Sequence, residues 1–114
     1  MPEQGDILLV PIPFTDLSSH KQRPVIVISN DSYNRQTADI VVVAMTSNPM
    51  PVDYSFTITT SDLVQGALNH PGKVRVDRIY SLSQSVALKK FGRVNPQVLD
   101  RIRSMLRDLI AKKP

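Results

Sequence analysis

Cysteine is absent from the 114-residue chain, so neither a disulfide framework nor a thiolate metal site is available to it. Two histidines, His20 and His70, are too few for a typical zinc site without help from carboxylates. Tryptophan is also missing and aromatics reach only 5%, which argues against the stacking platforms common in single-strand binders. No apolar run approaches the roughly 20 residues needed to cross a bilayer, and the opening MPEQGD is no signal peptide. A soluble cytoplasmic chain without a membrane role is the expectation. No GxSxG, HExxH, Walker or GxGxxG pattern occurs, which leaves hydrolase triads, zinc peptidases and nucleotide phosphate loops without support.

What is present suits one compact domain over residues 1–114: 41% of the residues are hydrophobic, enough for a core. The net charge of +4 is uneven. Residues 1–60 hold three Lys/Arg against six Asp/Glu, and residues 61–114 hold eleven against four, so the halves carry −3 and +7. The asymmetry fits a polyanionic partner such as nucleic acid, or an acidic protein; it equally fits a solvated basic helix.

Along the chain, GDILLVPIPF (5–14) predicts a first strand whose Pro11 and Pro13 mark an edge or bulge. TDLSSHKQ (15–22) is a polar loop, and PVIVIS (24–29) is a strand buried on both faces. NDSYNRQTA (30–38) reads as a connection rich in turn formers, DIVVVAMTS (39–47) as a second central strand, and NPMPVD (48–53) as a loop. YSFTITT (54–60) alternates Tyr54, Phe56 and Ile58 against polar residues. SDLVQG (61–66) reads as one helical turn capped by Ser61 and ended by Gly66, and ALNHPG as a turn. KVRVDRIYSLS (73–83) alternates Val74, Val76 and Ile79 against Lys73, Arg75 and Asp77, and a short strand follows around Lys89–Val94. NPQVLDRIRSMLRDLIAKK (95–113) is a helix with Asn95 as N-cap and Pro96 first. Its apolar stripe is Val98, Ile102, Met105, Leu106, Leu109 and Ile110. Short strands with one long terminal helix predict an α+β domain built on a small antiparallel barrel.

The polar residues left over are Arg23 at the head of the second strand, Thr46 and Ser47 at the end of the third, Arg75 and Asp77 on one strand face, and His20 and Lys21 in the first long loop. Spacing alone leaves plainer readings open. Arg23 can cap a strand and pair with Asp16 or Asp39, Thr46 suits a strand by propensity, and Arg75 with Asp77 can form a surface ion pair.

The ordered set GDILLVPIPFTD, KQRPVIVIS, VVAMTSN, SDLVQGAL, KVRVDRIYSL and NPQVLDRI resembles the PemK/MazF family of toxins from type II toxin–antitoxin systems, from Gly5 to Ile110. The resemblance implies an SH3-like barrel with a C-terminal helix, a homodimer, and a sequence-specific endoribonuclease that cuts messenger RNA without a metal or cofactor. The family's arginine of the RP motif falls on Arg23, its central-strand threonine on Thr46, and its Arg-x-Asp pair on Arg75 and Asp77. His20 lies nearer the RP motif than the loop histidine of the PemK branch. RNA-binding roles are expected of His20, Lys21, Gln22, Ser47, Asn48 and Lys73.

Such chemistry needs a 2′-OH that loses its proton while attacking phosphorus, a 5′-oxygen that gains one, and stabilised phosphate charge. Arg23 suits the phosphate as a bidentate fork, with Thr46 beside it. Asp77 is the expected base. Arginine holds its proton too tightly to act as an acid, so Arg75 is expected to act electrostatically, with water or His20 supplying the proton. Phe14, His20 or Tyr54 can stack on an unpaired base, although core packing explains Phe14 and Tyr54 as well. An acidic, partly disordered antitoxin is the implied partner. A toxin of the same fold that poisons DNA gyrase, or an inactive relative that binds only RNA or an antitoxin, would share much of this pattern.

Overall fold

The computed structural model describes residues 1–11, 22–87 and 89–114. In chain order its elements are β1 (Asp6–Val10), β2 (Arg23–Val27), α1 (Asp31–Gln36), β3 (Asp39–Thr46), β4 (Ser55–Ile58), a 3-10 turn (Thr60–Asp62), β5 (Leu63–Gly66), β6 (Gly72–Ser83), a 3-10 turn (Gln84–Val86), β7 (Lys89–Val94) and α2 (Pro96–Ile110).

All seven strands join one antiparallel sheet in the order β4-β6-β3-β2-β1-β7-β5. Its two edges, β4 and β5, are consecutive in the chain, with only residues 59–62 between them. Laid flat, seven strands at the usual spacing would hold those edges about 29 Å apart. Five residue steps from Ile58 to Leu63 reach at most about 17 Å. The sheet therefore curls into a half-barrel, in keeping with the small antiparallel barrel and C-terminal helix expected from the sequence, and α2 follows its last strand.

The apolar runs of β2 and β3 are buried on both faces, as their unbroken hydrophobicity predicts. One face carries Ile7, Ile26, Val43, Met45, Phe56, Ile58, Val74 and Val76, packed with Val94 and with Val98 and Ile102 of α2. The other carries Leu8, Val10, Val25, Val27, Ile40 and Val42, with Tyr80, Leu82 and Ala87 against them. Helix α2 starts where its caps predict: Asn95 Oδ1 accepts the Val98 N–H at 2.9 Å, and Pro96 stands in the first turn. The Arg101 guanidinium lies 4.4 Å from the Phe56 ring centroid, which ties α2 to edge strand β4. The apolar stripe stops short of its predicted end, because Ile110 is 75% exposed. No helix among the described residues is long and apolar enough to cross a membrane.

Three local expectations change. The 30–38 connection contains a helix, α1, because Asn30 acts as an N-cap that accepts the Tyr33 N–H at 2.8 Å. Its buried Asn34 donates to the Ser29 carbonyl at 3.0 Å. SDLVQG splits in two: the turn Thr60–Asp62 is closed by the Asp62 carboxylate accepting the Thr59 N–H at 2.8 Å, and the rest is strand β5. Ser61 is therefore not the cap. Ile79 is exposed, although its pairing with Val43 puts it on the same face as Val74 and Val76.

Gly66 ends β5 with φ at +81°, and a Cβ there would lie 2.2 Å from the Phe91 carbonyl oxygen. Backbone cannot yield as a side-chain end can. Gly66→Ala should therefore lower stability by about 1–3 kcal/mol, measured by urea denaturation. An unchanged midpoint would show that β5 does not need this close approach to β7.

Candidate active site

Register, rather than sequence distance, assembles the candidate residues. Val10 pairs with Arg23, Thr46 with Lys73, and Lys73 with Thr57. Val25 pairs with Ala44, so carrying that register two residues onward sets Arg23 beside Thr46. Directly opposed residues share a sheet face. Arg23, Thr46 and Lys73 thus form one row across three adjacent strands, on the face away from α2. A second row of Val25, Ala44, Arg75 and Ser55 runs beside it on the same face.

Between the Val43–Ile79 and Ala44–Arg75 pairs the register shifts, which leaves a bulge of residues 76–78 in β6. Tyr54, with φ at +58°, accepts the Val76 N–H at 2.9 Å opposite this bulge. Bulges re-aim side chains. Here Asp77 turns back on Arg75: Arg75 Nε donates to Oδ1 and Nη2 to Oδ2, each at 2.9 Å. Both side chains are half-buried. The Arg75 hydrogen bonds hold the Asp77 carboxyl below the usual carboxylate range, and Asp77 raises the already high Arg75 pKa. Desolvation opposes both shifts and is the smaller effect. The pair expected from sequence is formed, and each partner holds the other in its charged state.

At the end of β3, Thr46 Oγ1 accepts the Asn48 N–H at 3.2 Å, and Asn48 Oδ1 accepts the Met50 N–H at 3.0 Å. The Thr46 hydroxyl proton is then left to donate elsewhere. Ser47, Asn48 and Gln22 are exposed beside this row. His20 and Lys21, like Phe14 and Asp16, lie outside the described residues. Tyr54 is half-buried and precedes β4 instead of alternating within it.

Two features escape sequence reading. A cavity of about 230 Å³ opens beside Thr46 and Ser47, walled by Pro24, Leu68, His70 and Phe91. The 67–72 turn therefore reaches the end of β3 from the α2 side of the sheet, where Pro24 and Met45 also line the cavity, although nothing in ALNHPG signals it. Lys73 alternates visibly with Arg75, but its burial does not show in the sequence. Among the described residues, no group of three His, Asp or Glu is placed to hold a metal ion.

A family model described as PemK-like, MazF-like toxin of type II toxin–antitoxin system matches residues 3–110. No curated protein matches the chain. Among solved structures, it is similar to an endoribonuclease in complex with its cognate antitoxin from a mycobacterial species, with 25% identity, TM-score 0.77 and 100% of both chains covered. A second mycobacterial endoribonuclease shares 25% identity at TM-score 0.75, covering 99% of this chain and 95% of that one. The MazE–MazF complex of Deinococcus radiodurans, at 23% identity, TM-score 0.77 and 98% of each chain, repeats the fold.

The Arg75–Asp77 pair sets a pH signature. A depressed carboxyl pKa contributes stability that is complete above the ordinary carboxylate value, near pH 4, and is lost as pH falls through the lower folded value. Asp77→Asn should melt a few degrees below the wild type at pH 7, for a pair worth about 1 kcal/mol. The gap should close as pH falls through the lowered folded value. A gap independent of pH in thermal melts would mean the pair adds no stability.

Proposed function

Since this chain belongs to the PemK-like, MazF-like toxins of type II toxin–antitoxin systems, we propose that it is an endoribonuclease acting on single-stranded RNA. The observation that carries the reading is the register: carried on from the Val25–Ala44 pair it sets Arg23 beside Thr46, with the hydrogen-bonded Arg75–Asp77 pair one row away. The 25%-identical chain described as an endoribonuclease with its cognate antitoxin supports it.

Arg23 grips the non-bridging oxygens of the scissile phosphate with its planar fork, and the Thr46 hydroxyl donates to the same group. The 2′-oxygen attacks phosphorus, the bond to the 5′-oxygen breaks, and the products are a 2′,3′-cyclic phosphate and a free 5′-OH. In the ligand-free pair Asp77 is a weak base, because both of its oxygens accept from Arg75. A phosphate that draws Arg75 toward itself releases those bonds, and the basicity of Asp77 rises as it takes the 2′-OH proton. Arg75 then stabilises the charge that builds on the phosphorane, and water protonates the 5′-oxygen. Gln22, Ser47 and Asn48 border the strand's path, and His20 and Lys21 directly precede Gln22 in sequence. The cavity walled by His70 and Phe91, at the rim by Thr46 and Ser47 and on the α2 side of the sheet, offers room for an unpaired base of the same RNA strand.

The protein acts as a homodimer in the cytoplasm. Its regulator is an acidic antitoxin whose segment competes with RNA for the basic half of the chain.

Arg23→Ala should reduce cleavage of a single-stranded RNA by about two to three orders of magnitude while leaving the melting curve unchanged. Full activity in the folded variant would remove Arg23 from the mechanism. The reaction should run equally fast in excess EDTA and leave cyclic-phosphate ends, read by mass spectrometry of the fragments. Loss of activity on chelation would point to a metal enzyme instead.

A further inference from the structure

The buried polar and charged side chains of the described residues are Asp6, Asn34 and Lys73. Two of them are fully accounted for. Asp6 accepts from Arg93 Nε and from the Glu3 N–H, each at 2.9 Å, and has Lys90 at 3.3 Å. Asn34 bonds the Ser29 hydroxyl and carbonyl. Lys73 is only 7% exposed, yet its Nζ has no hydrogen-bond partner among the described residues. An ammonium buried without an acceptor is costly, so such a group is rarely kept for stability. Its in-register neighbours, Thr46 and Thr57, supply hydroxyls and no counter-charge, and Asp77 is committed to Arg75.

We propose that Lys73 is the second cation of the phosphate site, set across Thr46 from Arg23, and that an RNA phosphate oxygen is its missing acceptor. The proposal deepens the endoribonuclease reading and rests on it for the identity of the anion. Strands two apart lie about 10 Å from each other, a gap that the long side chains of Arg23 and Lys73 close from both sides onto one phosphate. The four-carbon stem lets Nζ swing toward Thr46 when the anion arrives. Lysine here trades stability of the empty protein for affinity.

That trade gives two opposite effects of one substitution. Lys73→Met should raise the melting temperature of the ligand-free protein. It should also weaken binding of a single-stranded RNA carrying 2′-O-methyl riboses, which cannot be cleaved, by about 10- to 100-fold. The slope of log affinity against log salt should become shallower by about 0.7, the loss of one phosphate contact to a single strand. A merely structural lysine would not move that slope. Wild-type affinity in Lys73→Met, or a lower melting temperature, overturns the proposal. So does failure of both Lys73→Met and Lys73→Gln to fold, since Lys73 would then be a structural cation. A Lys73-dependent affinity for an acidic peptide with none for the RNA overturns the assignment to phosphate. Cleavage of unmodified RNA by the wild type is scored separately. If it is absent while the Lys73 effects are present, the phosphate site stands and the endoribonuclease reading falls; the reverse outcome removes Lys73 alone.

Discussion

Four residues tie the two edges of the sheet together, and the architecture follows from how little chain that is. Residues 59–62 cannot bridge a flat seven-stranded sheet, so the sheet must curl. The tie is itself made rigid. The Asp62 side chain accepts the Thr59 N–H, and the Asp62 carbonyl accepts the Asn95 N–H at 2.8 Å. The residue that closes the turn therefore also holds the residue that caps α2. Edge closure and helix docking are parts of one hydrogen-bonded unit.

Antiparallel pairing then explains why the site falls where it does. Arg23 begins β2, Thr46 ends β3, and Lys73 stands near the start of β6. With each strand reversed relative to its neighbour, a start, an end and a start coincide at one rim. The spacing of Thr46 and Lys73 is set by direct backbone pairing, and that of Arg23 and Thr46 follows from the Val25–Ala44 pair two residues away. Burial of β2 and β3 on both faces anchors that frame, since the valines and isoleucines behind Arg23 and Thr46 serve two cores at once.

Much of this was readable beforehand. The unbroken runs 24–29 and 39–47 identify central strands because only strands buried on both faces lack alternation. Asn95 and Pro96 identify the start of α2 by capping chemistry alone. Helix α1 stayed hidden because Asn30 and Asp31 serve equally as turn formers and as a helix start, and six residues are too few for an apolar stripe to show. Strand β5 stayed hidden because four residues after a cap signal read as the continuation of a turn. At the site, the residue types of Arg23, Thr46, Arg75 and Asp77 were visible, and the family resemblance grouped them. Their rows are products of register and of the 76–78 bulge, and the isolation of Lys73 Nζ depends on what surrounds it. Both are long-range facts that local pattern does not encode.

In ion-exchange terms, Asp77 is a tethered counter-ion. On the proposed mechanism, an incoming phosphate does not meet a bare Arg75. It must displace a carboxylate held by two hydrogen bonds that cannot diffuse away. A singly charged phosphodiester in its ground state is about an even match for that carboxylate. A phosphorane that has gained a second negative charge is a stronger competitor. In the proposed reaction the exchange favours the species that exists only at the top of the barrier, so Arg75 would contribute less to holding RNA than to cutting it.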